Sequence, residues 1–385
     1  MKILFCNLFE ALTSKTIERY LRDSGVNCLS KTYYTPEDLY EDDRIEKMIA
    51  KDVKLARPDA VMTINFWPPV ARVCKRNNVK YIAYAYDSPL NIPDERDMEY
   101  ETNFIFLFDR AETEKFRGLG IDRVYHAPLA TDVRKWDSFS DGGDTPYDIT
   151  LIGKLYESTY PGISTGMDEY HKGFFKGVIA AQQQIYGYYL VEEVISGKMD
   201  SLNECLRSKN KEANVSLAQM SYSMGSYINY LDRVSLLRLL QQAGQVHLFT
   251  GNLSEQDRGL LKGVEIHESV DYETEMPEVF KASKINLNPT SRVIRSGVPQ
   301  RALDVLGCKG FLLSSFQSEL CEYFVPEEEV AVYESYEDAV SKAQFYLRND
   351  SLREQMIERS YIKIKEFFSY ETRLGEMLET AGLQG

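Results

Sequence analysis

Short, fully apolar runs alternate with amphipathic stretches along most of this chain of 385 residues. The run at 104–108, Phe-Ile-Phe-Leu-Phe, has no polar face, which is typical of a strand buried on both sides of a sheet. Alternation of such strands with helical stretches predicts parallel sheets covered by helices on both faces. We therefore predict an α/β fold built on doubly wound, Rossmann-like sheets.

The predicted elements follow from these periodicities and from the turn residues between them. In the first part of the chain the predicted strands are Lys2–Phe9, Ala60–Phe66, Tyr81–Tyr86, Asn103–Phe108 and Val124–Ala127. The predicted helices there are Ser14–Asp23, Arg44–Ala56, Pro68–Asn77 and Ala111–Leu119. In the second part the predicted strands are Asp148–Ile152, Val246–Thr250, Val264–Glu268, Ile285–Asn288, Phe311–Ser314 and Val330–Tyr333. The predicted helices of that part are Met276–Ala282, Gln300–Cys308, Tyr336–Leu347, Ser351–Phe368 and Glu371–Ala381.

The length of the chain predicts two domains, and one segment is suited to join them. Residues 138–146, SFSDGGDTP, are polar and rich in Gly and Asp, as linkers are. We predict an N-terminal domain over 1–140 and a C-terminal domain over 147–370, with a cleft between two facing sheets. Residues 157–243 are mostly helical in pattern and too long for one crossover, so they predict a helical insertion. The last helix, about 371–385, is a candidate to pack back on the first domain.

The net charge limits the partners of the chain. The formal net charge is −14 and the isoelectric point is about 5.0. A field of that sign repels nucleic-acid backbones and anionic membranes, so neither is an expected partner. No run of about 18 apolar residues occurs, so no membrane span is predicted. An anionic ligand would need a local cationic pocket, which directs attention to clustered Arg and Lys residues.

The cysteines and histidines indicate a reducing compartment and no metal site. The six cysteines form no CxxC pair, and most lie in apolar contexts, as buried thiols do. The four histidines share no ligand spacing with them, so no zinc site is predicted. The apolar start, Met1–Phe9, stops at Glu10 and is interpreted as a buried strand rather than a signal peptide. The expected location is the cytoplasm.

Several catalytic motifs are absent from the sequence. It contains no GxGxxG, no GxxxxGK[ST], no HExxH and no GxSxG, which removes the main signals of dehydrogenases, P-loop ATPases, zincins and α/β-hydrolases. No DxD pair follows a strand, so the metal ligand of a single-domain, metal-dependent transferase is also missing.

The segment 283–319, SKINLNPTSRVIRSGVPQRALDVLGCKGFLLSSFQSE, carries the strongest chemical signal. A predicted strand runs into a polar loop, and Pro299 then marks a helix start, where free N–H groups suit phosphate oxygens. Arginine suits a diphosphate because its planar guanidinium group can donate two parallel hydrogen bonds to phosphate oxygens. The candidate donor-binding residues of this segment are Arg292, Arg295, Ser296, Gly297, Arg301 and Asp304. Surface salt bridges and a simple glycine turn are the alternative explanation.

The run at 283–315, followed by SELCEYF and VAVYESYEDAVSKAQFYL, resembles the C-terminal domain of the CgeB-like (spore-maturation type) glycosyltransferases. These are similar to the large retaining group of two-domain GT-B enzymes. YIAYAYDSP (81–89), NFIFLFDR (103–110) and HAPLATDV (126–133) resemble the domain ahead of that module, and YDITLIGKLYE (147–157) resembles its first strand. The resemblance covers nearly the whole chain and implies a GT-B fold.

The resemblance implies roles for individual residues. Asp304 falls where the group holds the donor ribose, and Ser296 and Gly297 fall in the loop that contacts donor phosphate or sugar. Arg292, Arg295 and Arg301, with Lys154 after the first strand of the domain, are the candidate cations for the diphosphate. The chain departs from the pattern at two positions. Ser296 stands where an acidic residue is expected eight positions before Asp304, and Lys309 stands where glycine is common.

Two residues of the first domain are candidates for catalysis. Asp87 follows a predicted strand, and a carboxylate at the carboxyl end of a strand is placed to bind an acceptor hydroxyl or to act as general base. A turn or helix-cap aspartate is the alternative. His126 lies at another strand end, where either a catalytic or a structural role is open.

We therefore expect a cytoplasmic glycosyltransferase that moves a sugar from a UDP-sugar, such as UDP-GlcNAc or UDP-glucose, to a protein or glycan acceptor. The expected enzyme is metal-independent and retaining and needs no cofactor beyond the nucleotide sugar. The resemblance points to surface or flagellar proteins as acceptors. A GT-B-like sugar-nucleotide epimerase and a non-catalytic sugar-nucleotide-binding scaffold are the alternatives.

Overall fold

A computed structural model describes residues 1–9, 11–36, 38–92, 94–140 and 145–383. The predicted linker 138–146 therefore lies partly outside the described residues. The chain forms two compact units, each with its own six-stranded parallel sheet. The first unit comprises Met1–Lys135, Gly297–Leu303 and Lys363–Gly385, and the second comprises Trp136–Ser296 and Asp304–Ile362.

The first unit has the strand order β2-β1-β3-β4-β5-β6. Its strands are β1 (Lys2–Asn7), β2 (Asn27–Thr32), β3 (Ala60–Ile64), β4 (Lys80–Tyr84), β5 (Asn103–Leu107) and β6 (Val124–His126). The helices that accompany them along the chain are α1 (Ser14–Asp23), α2 (Asp43–Ala56), α3 (Pro68–Asn77), α4 (Arg110–Gly118) and α5 (Val133–Trp136). All residues of β3 and β5 are buried, which explains their continuous apolar sequences.

Local signals in the sequence fix the ends of these helices. The side chain of Asp42 accepts hydrogen bonds from the amides of Arg44 and Ile45 and so caps the start of α2. Pro68 opens α3, where a missing N–H costs nothing, and Asn78 ends it with a φ of 50°, in the left-handed region. Strong caps of this kind explain why predicted and observed bounds agree closely for these helices.

The second unit has the strand order β12-β11-β10-β7-β8-β9. Its strands are β7 (Tyr147–Ile152), β8 (Val246–Phe249), β9 (Glu265–His267), β10 (Ser283–Asn288), β11 (Leu312–Ser315) and β12 (Ala331–Tyr333). The helices after β8 are α11 (Glu255–Leu260), α12 (Met276–Lys281), α13 (Gln300–Gly307), α14 (Ser318–Tyr323), α15 (Tyr336–Tyr346), α16 (Asp350–Phe367) and α17 (Tyr370–Thr380). Because α13 crosses residue 304 and α16 crosses residue 363, each of these helices contributes to both units.

A group of helices lies between β7 and β8. They are α6 (Tyr160–Thr165), α7 (Glu169–Gln183), α8 (Val191–Ser196), α9 (Met199–Lys209) and α10 (Leu217–Leu239), followed by a 3-10 turn at Leu240–Gln242. They share a core of their own, in which Phe175, Leu202 and Met224 are fully buried. Ser216 and Gln219 form a reciprocal capping box at the start of α10.

The last helix, α17, packs within the first unit against α1. The ring of Tyr370 stacks on that of Tyr20 with centroids 5.3 Å apart, and Arg134 forms an ion pair with Glu371. Nζ of Lys80 donates to the carbonyl of Ala381 at 2.6 Å, which holds the end of the helix.

The predicted fold class is confirmed, and one strand was missed. β2 (NCLSKT) is polar and mostly exposed because it is the outermost strand of its sheet, so it lacks the apolar run by which the other strands were recognised. Among the described residues, no helix is both long and apolar enough to cross a membrane.

Candidate functional site

The carboxyl ends of β10 and β11 form a polar edge on the second sheet, the part of an open α/β sheet where ligands bind. Nδ2 of Asn288 donates to the hydroxyls of Thr290 (3.0 Å) and Ser314 (2.9 Å), and the amide of Thr290 donates to Oγ of Ser315 (3.0 Å). These bonds fix the loop that leaves β10. A small pocket lies here, lined by Gly187, Tyr188, Thr290, Ser291, Arg292, Ile294, Ser315, Phe316 and Gln317.

Arg292 is buried and fastens this loop to the helical insertion. Its Nε donates to Oδ2 of Asp232 at 2.6 Å, its Nη1 donates to the carbonyl of Ile185 at 3.0 Å, and its guanidinium stacks 3.6 Å from the ring centroid of Tyr186. Its predicted role in binding the donor diphosphate stays a prediction. The guanidinium of Arg292 contacts Asp232 and the helical insertion, and these contacts give Arg292 a structural role that the sequence did not reveal.

Arg295 is more accessible than Arg292. Its Nη2 donates to Oε2 of Glu192 at 2.8 Å, and both side chains are about one-third exposed, at 34% and 36%. An ion pair that is this accessible to solvent contributes little to stability. Of the two arginines in the loop, Arg295 is the better candidate for a phosphate ligand.

Ser296 is held by a carboxylate that the sequence did not point to. Its Oγ donates to Oε1 of Glu319 at 2.7 Å, and the amide of Glu319 donates to the carbonyl of Ser296 at 3.2 Å. Nε2 of Gln317 donates to the carbonyl of Ile294 at 3.0 Å. Residues at the start of α14 thus fix the end of the loop, and the buried carboxylate of Glu319 lies next to Ser296, the residue that stands where the resemblance leads one to expect an acidic side chain.

Asp304 is almost fully buried in α13, with 1% of its surface exposed. Its Oδ1 accepts a hydrogen bond from the hydroxyl of Tyr272 at 3.2 Å. Tyr272 lies between β9 and α12, and its ring packs edge-on against that of Trp136. The tyrosine therefore orients the carboxylate that we predict to bind the donor ribose.

The end of β7 brings Lys154 next to a cation that the sequence analysis missed. Gly153 has a φ of 151°, and a Cβ there would lie 3.1 Å from a guanidinium nitrogen of Arg233. Arg233, in α10, donates to the carbonyl of Lys154 and stacks on the ring of Tyr156 at 4.6 Å. Because Arg233 comes from a helix remote in sequence, no local motif could have pointed to it.

Gly297 and Arg301 belong to the first unit. A Cβ at Gly297 would lie 2.7 Å from the ring of Phe108 and 2.8 Å from its carbonyl oxygen. A glycine is thus required here by close packing against Phe108, the residue that follows β5, and not by the approach of a phosphate. Nearby, Nε2 of Gln300 donates to the carbonyl of Ala130 at 3.0 Å, which anchors the start of α13, and Arg301 is half-buried in its first turn.

Asp87 lies just beyond the carboxyl end of β4 and is positioned by Asn65. Nδ2 of Asn65 donates to Oδ2 of Asp87 at 2.6 Å, and Oδ1 of Asn65 accepts from the amide of Tyr86 at 2.8 Å. Asn65 has a φ of 58°, a conformation that Asn tolerates better than most residues. Asp87 remains in contact with solvent. Partial burial by the surrounding atoms nevertheless raises its pKa, and the hydrogen bond from the Asn65 amide lowers the pKa by a smaller amount.

His126 ends β6 and is half-buried. In the order β4-β5-β6, β5 separates the strand that precedes Asp87 from the strand that ends at His126, so these two strands are about two strand spacings, or roughly 10 Å, apart. Both residues lie at the carboxyl ends of strands in the first sheet.

Two buried carboxylates support the turn that carries Asp87. Oδ2 of Asp109 accepts from the hydroxyl of Ser88 at 3.0 Å, and Oε1 of Glu112 accepts from the amide of Leu90 at 2.6 Å. Burial raises the pKa of Glu112 to about 7.

Comparisons with known proteins agree with the observed fold. The family model described as "Glycosyl transferase-like" matches residues 233–379, which is less than half of the chain. A glycosyltransferase from Rickettsia africae shares the fold with a TM-score of 0.60 and 12% identity, over 99% of this chain and 97% of that one. Anabaena HepE, solved in complex with UDP-glucose, has a TM-score of 0.60 and 9% identity over the whole of both chains. The lipopolysaccharide outer core galactosyltransferase WaaB, in its apo form, has a TM-score of 0.56 and 11% identity over 99% of each chain. No curated protein matches.

The solved structures share the GT-B architecture of the chain, and the family match shows that residues 233–379 are glycosyltransferase-like. Glycosyltransferase is accordingly the enzyme class that these findings support.

Proposed function

We propose that this protein transfers a sugar from a UDP-sugar, of the UDP-glucose or UDP-GlcNAc class, to a hydroxyl group of a protein or glycan acceptor. The observation that carries the proposal is the polar carboxyl edge of the second sheet, where Thr290, Ser291 and Ser315 line a pocket in the region of Arg295. The GT-B fold shared with a protein solved in complex with UDP-glucose supports a uridine donor. Membership of the CgeB-like group is part of the proposal and rests on the sequence motifs.

In the proposed reaction the bond between the anomeric carbon and the diphosphate oxygen breaks. The acceptor oxygen forms the new bond to that carbon, and its proton passes to a base. Negative charge accumulates on the departing UDP, and fixed cations lower the barrier by stabilising it. We assign this role to Arg295, Arg301 and Lys154, together with Arg233, without a metal ion at the diphosphate.

Asp304 is proposed to hold the donor ribose through its carboxylate. Its buried position, with Tyr272 donating to Oδ1, gives it one orientation. A carboxylate has further lone pairs with which to accept hydrogen bonds from two adjacent ribose hydroxyls. Retention of the anomeric configuration is included in the proposal on the strength of the family resemblance.

We assign the acceptor side to the first unit, with Asp87 as the candidate base. Its raised pKa brings it closer to the pH at which a general base is most effective. His126 is the second candidate. We propose a cytoplasmic enzyme whose acceptors include surface or flagellar proteins before their export.

Calorimetry with UDP, UDP-glucose and UDP-GlcNAc, and with ADP and GDP as controls, tests the proposal, with donor turnover measured on the same samples. Binding of the uridine ligands with slow release of free sugar supports transfer. Conversion of the donor to its epimer would identify a sugar-nucleotide epimerase instead. Failure to bind any nucleotide would refute every version of this proposal.

One observation favours a second candidate, a non-catalytic sugar-nucleotide-binding scaffold. Ser296 stands where the resemblance leads one to expect a carboxylate, and the nearest acidic group, Glu319, already accepts its hydroxyl. Tight UDP binding without turnover on any tested acceptor would support the scaffold.

A further inference from the structure

Three side chains with metal-ligating atoms converge at the outer edge of the second sheet, away from the pocket at β10 and β11. His247 lies in β8, and Glu265 and His267 lie in the neighbouring strand β9. The register pairs His247 with Glu265 and Phe249 with His267. Because alternate residues of a strand share a face, all three ligands project from the same side of the sheet.

The distances between the ligand atoms fit a shared cation. Nδ1 of His247 is 3.0 Å from Nε2 of His267 and 3.2 Å from Oε2 of Glu265, and one ligand atom from each residue lies within 4.8 Å of the others. Ligands bound to one tetrahedral zinc ion at about 2.0–2.1 Å are themselves roughly 3.3 Å apart. Two histidines and one carboxylate, with a fourth position left to water, form a ligand set that zinc uses.

Neighbouring residues hold each ligand in place. The ring of Phe249 stacks on His267 with centroids 4.3 Å apart and planes inclined by 10°, and Tyr147 packs edge-on against His247 at 4.8 Å. Nε2 of Gln245 donates to the other carboxylate oxygen of Glu265 at 2.5 Å. Supporting contacts of this kind orient metal ligands and raise the affinity of a site.

The orientation of His247 also points into the cluster. Its side chain is almost fully buried, and its Nε2 is buried without a hydrogen-bond partner, so its polar contacts are made through Nδ1.

A second group of three such residues in the described part of the chain, Asp168, His171 and Cys205, has a local explanation. Asp168 caps α7 and accepts from Nδ1 of His171 at 2.8 Å, and Nε2 of His171 lies 3.2 Å from the hydroxyl of Ser201. Both nitrogens of that histidine are thus engaged in helix contacts, and we draw no site from it.

We propose that His247, Glu265 and His267 bind a zinc-type divalent cation that ties the edge strand β9 to β8. β9 is only three residues long and pairs on one side only, so the ion would add a cross-link where the sheet has few hydrogen bonds. The segment that follows His267 carries Tyr272, which contacts Asp304. The site lies on the opposite edge of the sheet from β10 and β11 and takes no part in the transfer proposed above.

Metal binding is tested on the full chain after treatment with a chelator. Co²⁺ is titrated at micromolar concentration while visible absorption is recorded, and zinc is measured by elemental analysis after dialysis. We expect a single ion per chain with tetrahedral cobalt bands, and zinc should raise the melting temperature. His267→Gln and Glu265→Gln, at accessible positions, should each lose about 100-fold or more in affinity, since even supporting residues are worth 10–100-fold.

His171→Gln is the matched control and should bind metal as the wild type does. Equal binding by wild type and His267→Gln would overturn the proposal, and so would wild-type binding that appears only at millimolar metal, which would indicate an adventitious ion only. Nucleotide calorimetry on the same samples reports separately on the donor site, because the metal site does not depend on the proposed transfer activity.

Discussion

The hydroxyl of Ser296 donates a hydrogen bond to Oε1 of Glu319, 2.7 Å away, and both side chains are buried. A serine at the end of the β10 loop is thereby joined to a carboxylate from α14, 23 residues further along the chain. The pair fixes the last residue of the loop that also carries Arg295.

Ser296→Ala removes a donor from a buried carboxylate, and we expect it to lower the free energy of unfolding by about 1–3 kcal/mol. Ser208→Ala, at an exposed position in α9, is the control and should change stability by less than about 0.5 kcal/mol. Urea denaturation measures both. In a Glu319→Leu background, which offers the hydroxyl no acceptor, the effect of Ser296→Ala should shrink. Equal effects in the two backgrounds would show that the contact contributes nothing.

Arg292 and Arg295 lie in the same loop but should respond differently to substitution. Arg292→Met leaves the buried carboxylate of Asp232 without its charged partner, so we expect a loss of about 3–5 kcal/mol of stability. Arg295→Met removes a partly exposed pair and should cost below about 1 kcal/mol, while weakening UDP binding. Denaturation and calorimetry on both variants separate the two roles. If the Arg292→Met protein stayed stable but bound UDP more weakly, Arg292 and not Arg295 would be the phosphate ligand, and our assignment would be wrong.

Glu112 should make the stability of the protein depend on pH. Its pKa in the folded protein is about 7, compared with an ordinary value of 4.5. Between these pH values the folded state keeps a proton that the unfolded state has lost. The free energy of unfolding should therefore fall as pH rises from 4.5 to 7, by at most about 3 kcal/mol, and level off above 7.

Glu112→Gln mimics the protonated carboxyl group and keeps an acceptor for the amide of Leu90. The variant should lack this fall in stability and should be more stable than the wild type at pH 8. Thermal melts across the pH range measure both effects. Parallel stability profiles for the two proteins would contradict the raised pKa.

Much of the fold could be predicted from the sequence because its signals are local. The apolar runs of β3 and β5 and the proline at the start of α3 are visible in a few consecutive residues. Strand β2 could not be recognised in this way because its exposed edge position leaves it polar.

The site was predictable only in part, because its contacts join remote segments. The sequence singled out the block at 283–315 and Lys154, but it contains no signal for the partners of these residues. Glu319, Asp232 and Arg233 come from helices whose approach depends on the fold. The histidines of β8 and β9 likewise do not have the sequence spacing of a known metal motif, and the register of the two strands brings them together.

Asp87→Asn tests the proposed base. We expect the rate of transfer to fall by about 10²–10⁴-fold with little change in UDP affinity, because the amide cannot take up a proton. In the wild type, the acid limb of kcat/KM should lie above the ordinary aspartate pKa of 3.8, since burial raises the pKa of Asp87. Asp94→Asn, at a partly exposed position paired with Arg96, is the control and should keep full activity. An unaltered rate for Asp87→Asn would remove this residue from the mechanism.

The central claim is that the C-terminal half of this chain binds a UDP-sugar through cations at the helix α13 and the β10 loop. Calorimetry of UDP with the wild type, Arg301→Ala and the exposed control Arg238→Ala tests it most directly. Loss of a charge-assisted hydrogen bond is worth about 1.5–3 kcal/mol, or roughly 10–100-fold in Kd. We predict that loss for Arg301→Ala and wild-type affinity for Arg238→Ala. Unchanged UDP affinity in Arg301→Ala would contradict the assignment of the donor site.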